Sequence, residues 1–206
     1  MNRFFFSCLT GILFFVCVSF SSGRIHDQTP IKWVNTLIGT APSTTKAAKS
    51  HGKGTEELGQ TIPAVQTPNG MNSWTPQTRL TENKCVAPYY YKDSYFYGFR
   101  ASHWVNGGCT QDYGSYTIMG NTGKLKCLSK ERRLSFSHQD EVTTPAYYSL
   151  RFPDTGLLSE MTATDRSAIF RYTVEQGDSL YILITPNNDH GNGTIHIDPD
   201  RQEVSG

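Results

Sequence analysis

From Tyr147 onward the chain alternates short apolar runs with turn chemistry at intervals of about ten residues, the rhythm of antiparallel strands stacked as two sheets. Across residues 168–174, Ala168, Phe170, Tyr172 and Val174 fall on one face while Arg171 and Thr173 point the other way, which predicts a half-buried strand. Residues 180–184 are apolar on both faces and predict a central strand. Gln176-Gly177-Asp178 supplies a turn between those two strands, and Asp154-Thr155-Gly156 supplies one ahead of a strand over residues 157–164. Asn192-Gly193 marks a hairpin turn within the oxygen-rich segment 187–194. No stretch sustains a helical period, and only residues 43–50 read as a short helix. The pattern predicts an all-β fold, an antiparallel β-sandwich. Residues 202–206 read as the start of a strand that has no turn and no partner, so the sandwich reads as truncated at its C-terminus.

The first half is less regular. Residues 41–59 are Thr, Ser, Lys and Gly with little to bury, a long loop or insertion of the kind that is usually functional. Residues 75–112 carry Tyr89-Tyr90-Tyr91, Tyr95-Phe96-Tyr97, Phe99, His103 and Trp104 among glycines and polar residues without clean alternation. Aromatics on irregular backbone predict a binding surface, with coverage of a sheet edge as the plainer alternative. At the N-terminus, Arg3 precedes an apolar run over residues 4–20 that gives way to Ser21-Ser22-Gly23, the layout of a secretory signal peptide over residues 1–23. That run is short and broken by polar residues, so no stable membrane span is expected and the chain reads as exported. Cys17 as a lipid-bearing cysteine is the weaker reading, because the bulky Val16 precedes it.

Charge narrows the partners. With 19 Lys and Arg against 18 Asp and Glu, there is no basic excess to attract nucleic acid or an anionic membrane. A hydrophobic share of 37% with 18% charged residues is that of a folding chain, and 12% aromatics with 18 Gly and 10 Pro favour strands and turns. Past the signal, Cys85, Cys109 and Cys127 remain, an odd set that allows one disulfide at most and shows no metal-ligand spacing.

No complete catalytic set stands out from residue types alone. His103, Cys109 and Asp112 form a Cys-His-Asp trio, but one loop rarely supplies nucleophile, base and orienting group together. Glu160 and Asp165 on one strand would lie about 16 Å apart, beyond the roughly 5–9.5 Å of a glycosidase acid and base. Asp140-Glu141 after His138 reads as a solvated turn. Segment 187–194 lacks the alternating ligand order of a calcium loop.

Several phrases together resemble the N-terminal domain of glycoside hydrolase family 92, the calcium-dependent exo-α-mannosidases. They include residues 34–40, Pro63-Ala64-Val65, Pro68-Asn69-Gly70-Met71, Trp74-Thr75-Pro76-Gln77-Thr78, Gly98-Phe99-Arg100, Ser102-His103-Trp104 and residues 108–114. Phe136-Ser137-His138, Tyr147-Tyr148-Ser149 and residues 160–164 continue the series in order. The resemblance implies a galactose-mutarotase-like supersandwich over residues 24–206, belonging to a secreted inverting enzyme that removes terminal α-mannose from glycans. It also implies that the acid, the base and the calcium ligands sit in a following helical (α/α)6 domain, so this chain would hold no calcium and be inactive alone. Trp74, Phe99, Arg100, His103, Trp104, Gly108, Cys109 and Asp112 are the substrate-binding residues the resemblance implies, forming one wall of a mannose-binding cleft. Trp74 and Trp104 would offer flat faces to the sugar, and Arg100, His103 and Asp112 would bind hydroxyls. Two positions depart from the family pattern: Asn69 stands where Phe is usual, and Gly120 follows Met119 where Pro is common. The competing readings are a free-standing carbohydrate-binding module and, less favoured, a small hydrolase using His103 and Asp112. Cleft-facing aromatics would make the isolated chain poorly soluble.

Overall fold

The computed structural model describes residues 29–51, 58–80, 86–103, 114, 116–174, 179–186 and 193–206. In chain order its strands are β1 (Ser73–Gln77), β2 (Tyr95–Phe96), β3 (Gly98–Ser102), β4 (Tyr116–Thr122), β5 (Leu134–Ser135), β6 (Glu141–Thr144), β7 (Tyr147–Phe152), β8 (Leu157–Ala163), β9 (Ala168–Thr173), β10 (Leu180–Pro186), β11 (His196–Asp198) and β12 (Glu203–Ser205). Two short helices, α1 (Lys46–His51) and α2 (Ser129–Arg132), accompany them. One four-stranded antiparallel sheet has the order β1-β3-β4-β10, and a second has the order β6-β7-β8-β9. Two smaller ladders pair β2 with β5 and β11 with β12.

Register explains the interior. In the second sheet Tyr148 lies opposite Met161, Leu150 opposite Ser159 and Phe152 opposite Leu157, while Phe170 and Tyr172 of β9 continue the same rows. Because side chains alternate faces along a strand, those rows all point inward. From the first sheet Trp74, Phe99 and Ile118 meet them. Phe99 packs against Tyr148 and Phe170, Trp74 packs edge-on against Phe170, and Phe96 tilts against Phe152. Each such side chain taken fully out of water contributes about 1.5–3 kcal/mol. A smaller cluster of Ile62, Ala87 and Tyr89 sits beside this core.

The predicted half-buried strand over residues 168–174 is β9, with the alternation read from sequence. Asp154-Thr155-Gly156 forms the β7–β8 turn, with Gly156 at a φ of 65°. The short helix expected near residues 43–50 is α1. The turn at residues 176–178 lies outside the described residues.

Three expectations change. Residues 180–184 lie in β10, which is the edge of the first sheet as described, with Leu180 and Ile182 exposed. A two-sided apolar strand requires cover on both faces, and the described chain covers β10 incompletely. The strand near residues 202–206 is β12, and it does have a turn and a partner: Val204 lies opposite Ile197 of β11. The described residues among 75–102 are mainly strand and core, with Tyr91 and Tyr95 left exposed. They supply β1, β2 and β3, and they turn Tyr89, Phe96, Tyr97 and Phe99 inward.

Both departures from the family pattern have local reasons. Asn69 adopts a φ of 62°, a left-handed conformation that Asn enters far more readily than a bulky aromatic residue. Gly120 faces the second sheet, where a Cβ would lie 2.3 Å from Cδ1 of Tyr172, so the ring occupies the space that any larger residue would need.

Candidate functional site

Part of the motif series, the 68–71 phrase, Trp74 and Ser102-His103, meets at one end of the sandwich, while residues 34–40, Thr78 and 136–138 lie by residues 88–94 at the other. Val65 and Trp74 form an antiparallel bridge, so Pro68-Asn69-Gly70-Met71 is the tip of a small hairpin leading into β1. Ser73 lies opposite Ser102, which places the exit of β3 at the entry of β1. Tyr116 at the start of β4 lies opposite Pro186 at the end of β10, bringing those termini to the same end. The β8–β9 turn ties the tip down. Thr67 Oγ1 donates to Asp165 Oδ1 at 2.7 Å, the Met71 amide donates to the Asp165 carbonyl at 2.7 Å, and Asn72 Nδ2 donates to the Arg166 carbonyl at 3.2 Å. Met71 is held at this fixed tip with its side chain 60% exposed. Beside it, a groove of about 550 Å³ runs along Tyr116, Ile118, Ile184 and Pro186 to the β11–β12 hairpin.

The structure distributes the expected site residues unevenly. Trp74 is buried in the core, its ring edge-on to Phe170 and to Tyr116, and its indole N–H is buried without an acceptor. Its ring therefore supports Tyr116, which lines the groove, and does not present a flat face to solvent. Phe99 is fully buried between the sheets, where ordinary packing accounts for it. Arg100 is buried on the opposite face of β3, in register with Thr75 and Thr117. His103 is exposed at the end of β3, beside the groove's end of the sheet. Trp104, Gly108, Cys109 and Asp112 lie outside the described residues. Of the cysteines, Cys127 is described as an exposed free thiol, and Cys85 and Cys109 fall outside.

A polar cluster that sequence reading took for a solvated turn proves to be interior. The Glu141 side chain has no exposed surface, and its carboxylate accepts from Tyr89 Oη at 3.0 Å, from Tyr148 Oη at 2.7 Å and from His138 Nδ1 at 2.5 Å. His138 Nε2 faces the Tyr91 carbonyl, and the imidazole stacks on the Tyr91 ring at 3.9 Å. Both ring nitrogens are thus turned to oxygen atoms, which fixes the orientation of the ring. Burial, and then the Glu141 charge, push the Tyr89 phenol well above its ordinary range, and the same causes act on Tyr148. The cluster joins residues 86–91 to β6 and β7. The signal for it was present: Ser137 caps a single 3-10 turn, which sets His138 and Glu141 three residues apart on one side.

The carboxylates Glu160 and Asp165 are committed to structure. Glu160 receives two hydrogen bonds from Arg171, directly opposite in β9, and one from Tyr147 at 2.7 Å. The Arg171 bonds first, and Tyr147 second, hold its pKa down to about 2. Asp165 anchors the hairpin tip. Among the described residues, no three His, Cys, Asp or Glu side chains converge as metal ligands.

A family model described as the glycosyl hydrolase family 92 N-terminal domain matches residues 33–206. The chain belongs to glycosyl hydrolase family 92. Among solved structures, this family 92 chain is similar to a GH92 inverting mannosidase from Bacteroides thetaiotaomicron VPI-5482, with 38% identity and a TM-score of 0.59 over 75% of this chain and 19% of that one. It is similar to a GH92 α-mannosidase from Bacteroides thetaiotaomicron at 27% identity and a TM-score of 0.61, over 75% of this chain and 20% of that one. A further GH92 glycosyl hydrolase, 21% identical with a TM-score of 0.58, shares the fold. No curated protein matches the chain. The chain spans about a fifth of the length of those solved structures. Family membership agrees with the antiparallel sandwich.

Proposed function

We propose that this chain is the N-terminal, substrate-shaping domain of an exported inverting α-mannosidase that removes terminal α-mannose from glycans. The observation that carries the reading is the convergence of the hairpin tip, the exit of β3 and Tyr116 on one end of the sandwich, in a family whose solved members include mannosidases. In this reading His103, Trp104, Gly108, Cys109 and Asp112, carried by the β3–β4 connection, contact the sugar directly. Trp74, Phe99 and Arg100 act beneath them by fixing β1 and β3. The general acid, the general base and the calcium ligands belong to a helical partner domain that packs over this end, and no step is assigned to calcium on residues of this chain. Residues 1–23 serve as the export signal, and residues 24–206 form the domain.

The test is mannose release. The 206-residue chain incubated with calcium and an α-mannan should release none, and a chimera joining it to the helical part of the 38%-identical relative should release mannose. In that chimera Trp104→Ala should lower kcat/KM about tenfold or more, corresponding to about 1.4 kcal/mol of transition-state stabilisation. Wild-type kinetics in the variant would remove Trp104 from the sugar site, and release by the chain alone would overturn the division of labour.

A further inference from the structure

Among the described residues, Arg132 is a buried cation with no carboxylate beside it. The residue is 3% exposed, at the end of α2, on the outer face of the first sheet. Its Nη1 donates to the Cys127 carbonyl at 3.0 Å and its Nη2 to Thr185 Oγ1 at 2.9 Å, both neutral acceptors, while its Nε is buried with no acceptor. Removal from water disfavours its charged form and shifts the guanidinium below its usual range. Buried charges in proteins are ordinarily neutralised by a partner. Next to Arg132 lies a pocket of about 50 Å³ that Arg100, Gln77, Thr117, Ser129 and Thr185 also line. With Tyr97, Leu80 and Pro186 completing it, the lining combines two guanidinium groups, four hydroxyl side chains, an amide and two apolar residues, and no described Asp or Glu contributes to it. Since a liquid water molecule takes up about 30 Å³, the space suits one small ion and excludes a monosaccharide.

We propose that this pocket is a small-anion site, taking a monovalent inorganic anion of the chloride class that neutralises Arg132 and ties α2 to β3, β4 and β10. A carboxylate reaching in from another polypeptide would share the chemistry, and the experiment separates the two sources.

Thermal unfolding of the 206-residue chain is followed at constant ionic strength while sodium gluconate is replaced by sodium chloride, sodium bromide or sodium acetate. Chloride and bromide should raise the midpoint by about 3–6 °C once they exceed the dissociation constant about tenfold. Acetate should raise it less, and Arg132→Gln should abolish the halide dependence. Equal midpoints in all salts, a rise with acetate alone, or an undiminished halide effect in Arg132→Gln would overturn the proposal. Should that variant fail to fold, wild-type crystals grown in bromide decide the matter. An anomalous peak within hydrogen-bonding distance of the Arg132 guanidinium supports the site, and an ordered pocket without one refutes it.

Discussion

Between β1–β3 and β7–β9 the sandwich interior is aromatic, closed and cross-braced, whereas along β10 and the β11–β12 hairpin it is aliphatic and open. On the closed side Phe99, Phe96, Tyr148 and Phe152 have no exposed surface, and the buried Glu141 cluster fastens the neighbouring loop to β6 and β7. On the open side Leu180, Ile182, Ile195 and Val204 remain exposed, and neither β9 nor β10 has an outer strand partner among the described residues. The contrast shows that residue type alone is a poor guide to which side faces a partner. The aromatics serve mainly as core, and the surface that needs covering is aliphatic.

The sharpest way to break the comparison is to unfasten the closed side. Glu141→Gln leaves two tyrosine hydroxyls and an imidazole around a neutral amide, and should cost about 3–5 kcal/mol in urea unfolding. A loss below about 1 kcal/mol would mean that the cluster is ornamental. Gly120→Ala, which forces the Tyr172 ring aside, should cost about 1–3 kcal/mol by the same measurement. Arg171→Gln, at an outer-face pair whose arginine is solvent-exposed, should lower stability less than either change by the same measurement.

That pair also fixes a sign for pH. The Glu160 carboxyl falls from an ordinary value of 4.5 to about 2 on folding. A depressed carboxyl stabilises the fold fully above about pH 4.5 and loses that contribution as pH falls towards 2. Chemical-denaturant midpoints measured through this window should drop in the wild type, and the part of that slope due to Glu160 should shrink in Arg171→Gln, where only the Tyr147 bond remains. The smallest stability effect is expected on the open flank, where Ile182→Thr should change stability by about 0.5 kcal/mol or less. The same variant should reduce self-association in sedimentation velocity, whereas unchanged association would show that this flank is not the sticky one.

Much of the second sheet was legible in the sequence because β9 alternates strictly and Asp154-Thr155-Gly156 can form little else but a turn. The first sheet was hidden. Trp74, Pro76, Phe99 and Ala101 do alternate, but Gly98, with a φ of 131°, and the short β2 ladder interrupt the period before it can be recognised. β10 misled for a different reason: an apolar run reports what a strand needs around it, and the described chain supplies cover incompletely. The family phrases include Trp74 and Ser102, which register brings to the same end as Tyr116. They could not separate side chains that touch a ligand from those that hold the strands. Glu141 was missed because its burial depends on Tyr89 and Tyr148, distant in sequence and turned towards it by the fold.

The central claim is that the end formed by the 68–71 tip, the exit of β3 and Tyr116 meets mannose. It is tested most directly by titrating the isotope-labelled 206-residue chain with methyl α-mannoside, using methyl α-galactoside as control, and mapping amide shifts. The account predicts mannoside-specific shifts grouped at Met71, His103 and Tyr116, with β9 and β11 silent. Shifts confined to β9–β12, or equal responses to both sugars, would contradict it.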